Sequence, residues 1–408
     1  MSIMSSSIVP DHGRFPALRH LQFRRYFLGQ SIALIGGFAH NVAMAWLAYR
    51  LTESVAVLGI LGFASLSPAL LISPFAGLLA DRYPRRQMLL WLLGSVAILG
   101  VLLSALTAAG LINATVLIVI AFVRGVAFAF EIPIRHAFLV DLIEDRTVLP
   151  NAIALHSTAL NTARFIGPAL GGLMIGAVNE AACFMLHPIM LTASLVQLLR
   201  IQTVPRESHR PVGTFLNQFV EGWRYAFADP TIGRMLLAVF ALGFGIGPYA
   251  NLMPAAVAEL FGAHPELVGM FISCAGAGAM TAAMSLAIRR GSRNLPLIAL
   301  AGNLAAVIGL AVFSKSAWTA LSIAGMYLVG LGIIAQAVAT NMTIQQQVPD
   351  DKRGRVMALY TAMFIGATPI GSLIWGQFGQ YFGAANALLA GAVFSLAGAA
   401  LSAWQMRT

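Results

Sequence analysis

The residues of this sequence able to do chemistry are few, and two of them stand in an apolar stretch that ordinarily excludes charge: Arg124 and Glu131. Seven residues is close to two helical turns, so in a helix both side chains share a face, about 10.5 Å apart along the axis. A charge inside a bilayer costs about 2.5–3.5 kcal/mol or more, which makes each a functional candidate by default. The pair suits proton handling, with Glu131 as carrier and Arg124 holding or perturbing the proton. The plain alternative for Glu131 is an ion pair with Arg135 at i+4. Arg164 either binds an anionic substrate or pairs with Asp141 or Glu144, and its place nearer the start of its segment favours pairing. His156 and His187 are lone histidines on apolar faces, where satisfied core residues are usual. His40 and Asn41 fall together in the first apolar segment.

Enzyme chemistry finds no foothold. The chain contains no His-Glu-x-x-His, no Gly-x-Ser-x-Gly and no phosphate-cradling Gly-Lys-Ser/Thr, so neither hydrolysis nor ATP-driven pumping is expected. Cys183 and Cys274 lie in apolar runs without metal-ligand spacing, and no cofactor or metal is expected.

The elements that must position these residues are membrane spans. Hydrophobic residues make up 59% of the 408 residues, charged residues only 10%, and mean hydropathy is +0.81. A soluble domain carries about 25% charged residues. About 20 apolar residues cross a bilayer as a helix, and twelve such segments can be marked. They are 27–49, 56–80, 87–109, 112–133, 150–178, 181–200, 233–258, 266–288, 295–314, 317–341, 356–380 and 384–405. Backbone groups in lipid must be satisfied internally, so all twelve are expected to be helical. Residues 1–25 contain no apolar run, and no cleavable leader is expected.

With the N-terminus placed inside, 21 of the 25 Lys and Arg residues fall on the cytoplasmic side. Arg50 and Lys315 lie outside, and Arg124 and Arg164 within helices. This is the positive-inside pattern. It also argues against nucleic acid, because the net charge of +10 is spread along one membrane face and not gathered into a patch.

The two halves of the chain echo one another. Ala154-Leu155-His156-Ser157 returns as Ala358-Leu359-Tyr360-Thr361, Phe165-Ile166-Gly167 as Phe364-Ile365-Gly366, and Gly37 and Asn41 as Gly247 and Asn251. Six plus six like-oriented helices are expected: bundles at 1–203 and 233–408 joined by a linker at 204–232. In the linker Phe215, Leu216, Phe219, Val220 and Trp223 recur at helical spacing. That stretch is either a helix on the inner membrane surface or a plain tether. Parallel repeats of this kind place a substrate site between the halves, near the bilayer midplane.

Two motifs make the pattern specific. Gly77-Leu78-Leu79-Ala80-Asp81-Arg82-Tyr83-Pro84-Arg85-Arg86 resembles the signature loop of the major facilitator superfamily, with Pro84 in place of the usual glycine. The resemblance implies an inner-side latch built from Gly77, Asp81, Arg82 and Arg85. Its second-half counterpart, Arg289-Arg290-Gly291-Ser292-Arg293, lacks the aspartate. Gly167-Pro168-Ala169-Leu170-Gly171-Gly172 resembles the helix-five element of exporters in that superfamily. Its proline removes a backbone hydrogen bond and its glycines expose backbone, so a kinkable, close-packing helix is expected at Gly167, Pro168, Gly171 and Gly172. Arg124 resembles the helix-four arginine implicated in proton coupling, although first-helix acids common in drug/proton exchangers are replaced here by His40 and Asn41. The runs Arg24–Phe27, Trp46–Thr52 and Asn151–Leu155 are similar to the branch of enterobactin exporters and macrolide or multidrug efflux proteins.

The resemblance therefore implies a monomeric bacterial inner-membrane exporter with both termini cytoplasmic. Its cargo is a small amphipathic siderophore or drug-like molecule, exchanged for protons by alternating access. A lipid flippase and a transporter-like sensor or assembly partner are the alternatives. Gln30, Phe38, His40, Asn41, Trp46, Phe244, Tyr249, Asn251, Gln336, Asn341, Tyr360 and Phe364 are the candidate cavity residues. Gly243, Gly245, Gly247 and Pro248 are expected to interrupt the seventh helix there.

Overall fold

The computed structural model describes residues 15–143, 145–202, 223–289 and 294–404, without the side chains at 71, 73–82, 350, 351 and 401–404. Among these residues there is no strand, and each of the twelve apolar segments is helical. The first half holds α1 (Leu21–Thr52), α2 (Val55–Arg82), α3 (Arg85–Ala108), α4 (Ala114–Asp141), α5 (Leu149–Ala177) and α6 (Glu180–Arg200). The second holds α7 (Pro230–Gly245), α8 (Tyr249–Phe261), α9 (Pro265–Ile288), α10 (Leu295–Lys315), α11 (Thr319–Gln347), α12 (Asp350–Phe364), α13 (Ala367–Phe382) and α14 (Ala384–Trp404). By length and apolarity alone, eight helical segments qualify as spans, α12 and α13 counting together as one, or nine with the bent α7–α8 pair, so the count of twelve is not reproduced exactly.

Helix ends follow local chemistry. Asn113 and Asn179 cap α4 and α6 by accepting from the N–H groups of Val116 (2.9 Å) and Ala182 (2.8 Å), and Asp229 caps α7. The last carbonyls of α6 are orphans. Arg86 Nε donates to Leu198 O at 2.7 Å and Arg25 Nη1 to Arg200 O at 2.9 Å, putting positive charge at the negative end of that helix.

In the first half α1 packs on α5 and α6, α2 on α4, and α3 on α6 and α4. In the second, α11 packs on α9 and α10, and α14 on α7 and α10. The main contacts between the halves are α5 on α9 and α2 on α13, with smaller ones of α8 on α1 and α2 and of α9 on α1. Large apolar side chains such as Trp91 (80% exposed) and Ile288 (77%) cover the outer surface, as hydrocarbon requires and water would not tolerate.

The seventh span breaks where the glycines and Pro248 predict, with a bend of 40° between α7 and α8. The break orphans two carbonyls. Phe244 O faces Pro248 four residues on, which has no N–H, and Gly247 N turns back to Leu242 O. Side chains of α13 replace the lost donors: Trp375 Nε1 donates to Phe244 O at 2.9 Å and Thr368 Oγ1 to Gly243 O at 3.2 Å. The eleventh span is interrupted at Ile365–Gly366 but, unlike the seventh, still runs as one span, as the sequence had presented it.

Of the linker helix, residues 215–220 lie outside the described residues. Trp223 begins a short helical stretch and meets Phe227 at 4.5 Å between ring centroids.

Candidate functional site

A cavity of about 210 Å³ lies between the halves. Arg164 of α5 lines it from the first half. Leu242, Tyr249, Ala275, Ile333, Phe364 and Thr368 line it from α7, α8, α9, α11, α12 and α13. The two interrupted spans therefore meet at its wall. Arg164 stands halfway along α5, and Tyr249 is the group it interacts with electrostatically.

Of the two partners expected for Arg164, the described residues rule out Asp141. Asp141 is taken by Arg85, whose Nη1 lies 2.9 and 3.0 Å from its two carboxylate oxygens, and Glu144 lies outside the described residues. Arg164 makes no hydrogen bond or ion pair among the described residues. The signal for it was present in the sequence: a lone charge at the midpoint of a span.

Of the other cavity candidates, Tyr249 and Phe364 line this space and the rest are placed elsewhere. Gln30 is buried against α6, where Ser194 Oγ meets its Oε1 at 3.4 Å. Phe38 packs against Gly167 of α5. His40 is fully buried, its ring 5.0 Å from Phe184 and 5.4 Å from His187, both on α6. Asn41 is exposed and Trp46 sits in the apolar core. Phe244 meets Trp375 edge-on and Phe394 at a tilt, and Asn251 donates to Ser372 Oγ at 3.1 Å. Gln336 belongs to a buried network with Asn303 (3.0 Å) and the carbonyl of Ala238 inside the second half. Asn341 accepts from Gln345 one turn on, and Tyr360 donates to Ala337 O at 2.9 Å. Helical periodicity places a residue on a face but does not say which neighbour that face meets.

Arg135 Nη1 lies 3.0 Å from Glu131 Oε1, so Glu131 is ion-paired as the i+4 alternative allowed. Arg124 Nη1 lies 3.1 Å from Met44 Sδ, within the first half and away from the cavity. Gly77, Asp81 and Arg82 end α2, and their side chains, like residues 290–293, lie outside the described residues. Arg85 is tied to α4 of its own half. Gly167 and Gly171 face α1, and α5 runs unbroken through Pro168.

Toward one end of the bundle the halves meet through close glycine contacts. A Cβ on Gly172 would stand 3.0 Å from the Cα of Gly269, and one on Gly59 2.9 Å from the Cα of Gly376. Gln380 Oε1 also accepts from Ser54 Oγ at 2.8 Å. This is the end carrying the α1–α2, α5–α6 and α8–α9 turns. A separate apolar groove of about 420 Å³ opens on the outer surface between α9 and α11, lined by Cys274, Ala277 and Leu328 among others.

Comparison with known proteins agrees with this architecture. Residues 12–407 match the family described as transmembrane secretion effectors. The chain is 25% identical to the staphyloferrin A transporter of Staphylococcus aureus over 88% of its own length and 90% of that protein's. It is 24% identical to the multidrug efflux pump Tap of Mycobacterium tuberculosis (85% and 84%) and 23% identical to the enterobactin exporter of Shigella flexneri (88% and 85%). Among solved structures, a bacterial homologue of the human lysosomal transporter Spinster in an inward-facing, occupied conformation superposes with a TM-score of 0.74. It is 14% identical, with 97% and 98% of the two chains covered, a likeness of fold.

Proposed function

Because the chain belongs to the transmembrane secretion effector family of the major facilitator superfamily, we propose that it is a bacterial inner-membrane exporter of a small amphipathic molecule, working by alternating access. The cargo is a siderophore or drug-like compound, in keeping with the printed names of the relatives. Residues 1–203 and 233–408 act as two rocking bundles joined by 204–232, with both termini cytoplasmic. The observation that carries this is the cavity between the halves, with close glycine contacts toward one end of the bundle that separate and re-form. With the N-terminus inside, that end faces outward. The cavity's 210 Å³ is less than the roughly 300–1,000 Å³ of small-molecule sites. Cargo is therefore accommodated as the halves part on the inner side.

Export is coupled to inward proton movement through the Arg124 and Glu131 region. Protonation of Glu131 would break its pair with Arg135 and loosen the inner end of α4. A lipid cargo is less well served, because the outer apolar groove lies beyond the α9–α11 contact, where Gly330 abuts Ala275.

The test is cargo-dependent proton movement in proteoliposomes, wild type against Glu131→Gln and Arg124→Ala. Wild type is expected to move protons with cargo and both variants to lose that dependence. Efflux indifferent to a pH gradient sinks antiport, and absence of any vectorial transport sinks the exporter assignment in favour of a sensor or assembly partner.

A further inference from the structure

We propose that the cargo is an organic anion, with an oxyanion such as a carboxylate held by Arg164 and Tyr249 and an apolar body against Leu242, Ile333 and Phe364. This rests on the exporter assignment, since it takes the cavity between the halves as the cargo site.

The first observation is the cation itself. A guanidinium halfway along a membrane helix is expensive unless something of opposite charge or strong acceptor character meets it. None of the described acids forms an ion pair with it. Asp141 is held by Arg85, Glu131 by Arg135 and Glu180 by Arg50 at 2.6 Å. Glu259 accepts from Ala385 N at 3.1 Å, Asp229 caps α7, and Asp145 is occupied by Thr147. Arg164 instead lines the cavity, where a ligand reaches it.

The second observation is the polarity of the remaining wall. The Thr368 hydroxyl proton is taken up by the carbonyls of Gly243 and Phe364, and the Tyr249 hydroxyl makes no hydrogen bond among the described residues. Two side chains thus present free N–H and O–H donors from opposite halves, and the rest of the wall is largely apolar. Convergent donors with a fixed fork geometry match a carboxylate, whose two oxygens only accept. A cationic cargo would meet Arg164 with like charge, and a neutral one would leave it unpaired, so the site discriminates by repulsion as well as attraction. Because the donors come from both halves, an anion between them also bridges the parts that move.

The probes are 2-naphthoate and its uncharged isostere 2-naphthamide, with saturable binding measured by equilibrium dialysis on full-length protein in lipid nanodiscs. Wild type is expected to bind naphthoate about 10-fold or more tightly than the amide. Arg164→Gln should weaken naphthoate by about 10- to 100-fold, the range for losing a charge-assisted hydrogen bond, and leave the amide within about threefold. Arg164→Lys should fall between, keeping charge without the fork. If Arg164→Gln does not fold, Tyr249→Phe replaces it, with a loss of about 3- to 10-fold for naphthoate alone. Equal binding of the two probes, undiminished naphthoate binding without Arg164, or no saturable naphthoate binding by wild type overturns the proposal. Selective anion binding without vectorial transport supports it and overturns the exporter assignment instead. Transport without charge discrimination does the reverse.

Discussion

The proposed glycine seal offers a sharp test of motion between the halves. In Gly172→Ala the new methyl would sit 2.6 Å from Pro265 O and 3.0 Å from the Cα of Gly269. In Gly376→Ala it would sit 2.5 Å from the Cα of Gly59. Both neighbours are backbone, so no rotamer change relieves the clash and the helices must move apart. Overpacking of this kind costs about 1–3 kcal/mol, which is about 5- to 150-fold in the balance between sealed and open forms. The two contacts lie on different helix pairs and their effects should add. The double variant then shifts the balance by about 30-fold or more. An open form populated at about 1% would rise to roughly a quarter of the molecules at the lower bound. The reporter is Ile333→Cys on the cavity wall, in a background with Cys183 and Cys274 replaced by alanine. A membrane-impermeant maleimide is applied from the face carrying the α5–α6 turn. The labelling rate should climb from wild type through each single to the double variant, while labelling from the opposite face falls. Unchanged labelling in a double variant that remains folded and monodisperse would show that the glycines serve static packing, and alternating access through this seal would be refuted.

Two further predictions concern stability. Trp375→Phe strips the donor from Phe244 O, whose helical partner is Pro248, and should cost about 1–3 kcal/mol, read as a lower denaturation midpoint in nanodiscs; Thr368→Val should behave alike at Gly243 O, and no change in either would mean the break is satisfied otherwise. A double-mutant cycle on Arg85→Gln and Asp141→Asn should give a coupling of about 1 kcal/mol, modest because the pair is partly exposed, and a coupling near zero would remove Arg85 from the tie between α3 and α4.

Much of this architecture is legible before any coordinates are at hand. Helical spans follow from apolar runs, because a backbone in hydrocarbon has few ways to satisfy its hydrogen bonds. The break at Gly243–Pro248 follows from a residue with no N–H beside residues with no side chain. The Gly167–Gly172 element of α5 is legible as a packing motif, and the structure shows which helices its small faces meet. The interruption at Ile365–Gly366 is harder to see, since a single glycine in a span is common.

What the sequence determined by itself is the one-dimensional physics: which stretches prefer lipid, which loops carry the positive charge, and where a helix cannot continue. Partner choice belongs to the tertiary structure. Glu131 had Arg135 within reach along its own helix, so local spacing sufficed for that pair. Arg164 could be assigned only once Asp141 was seen in the grip of Arg85 and Tyr249 was brought to the same cavity from 85 residues away. The reason is geometric: a helix sets the angle between its own side chains, whereas what stands opposite each one depends on how the helices rotate and pack against one another.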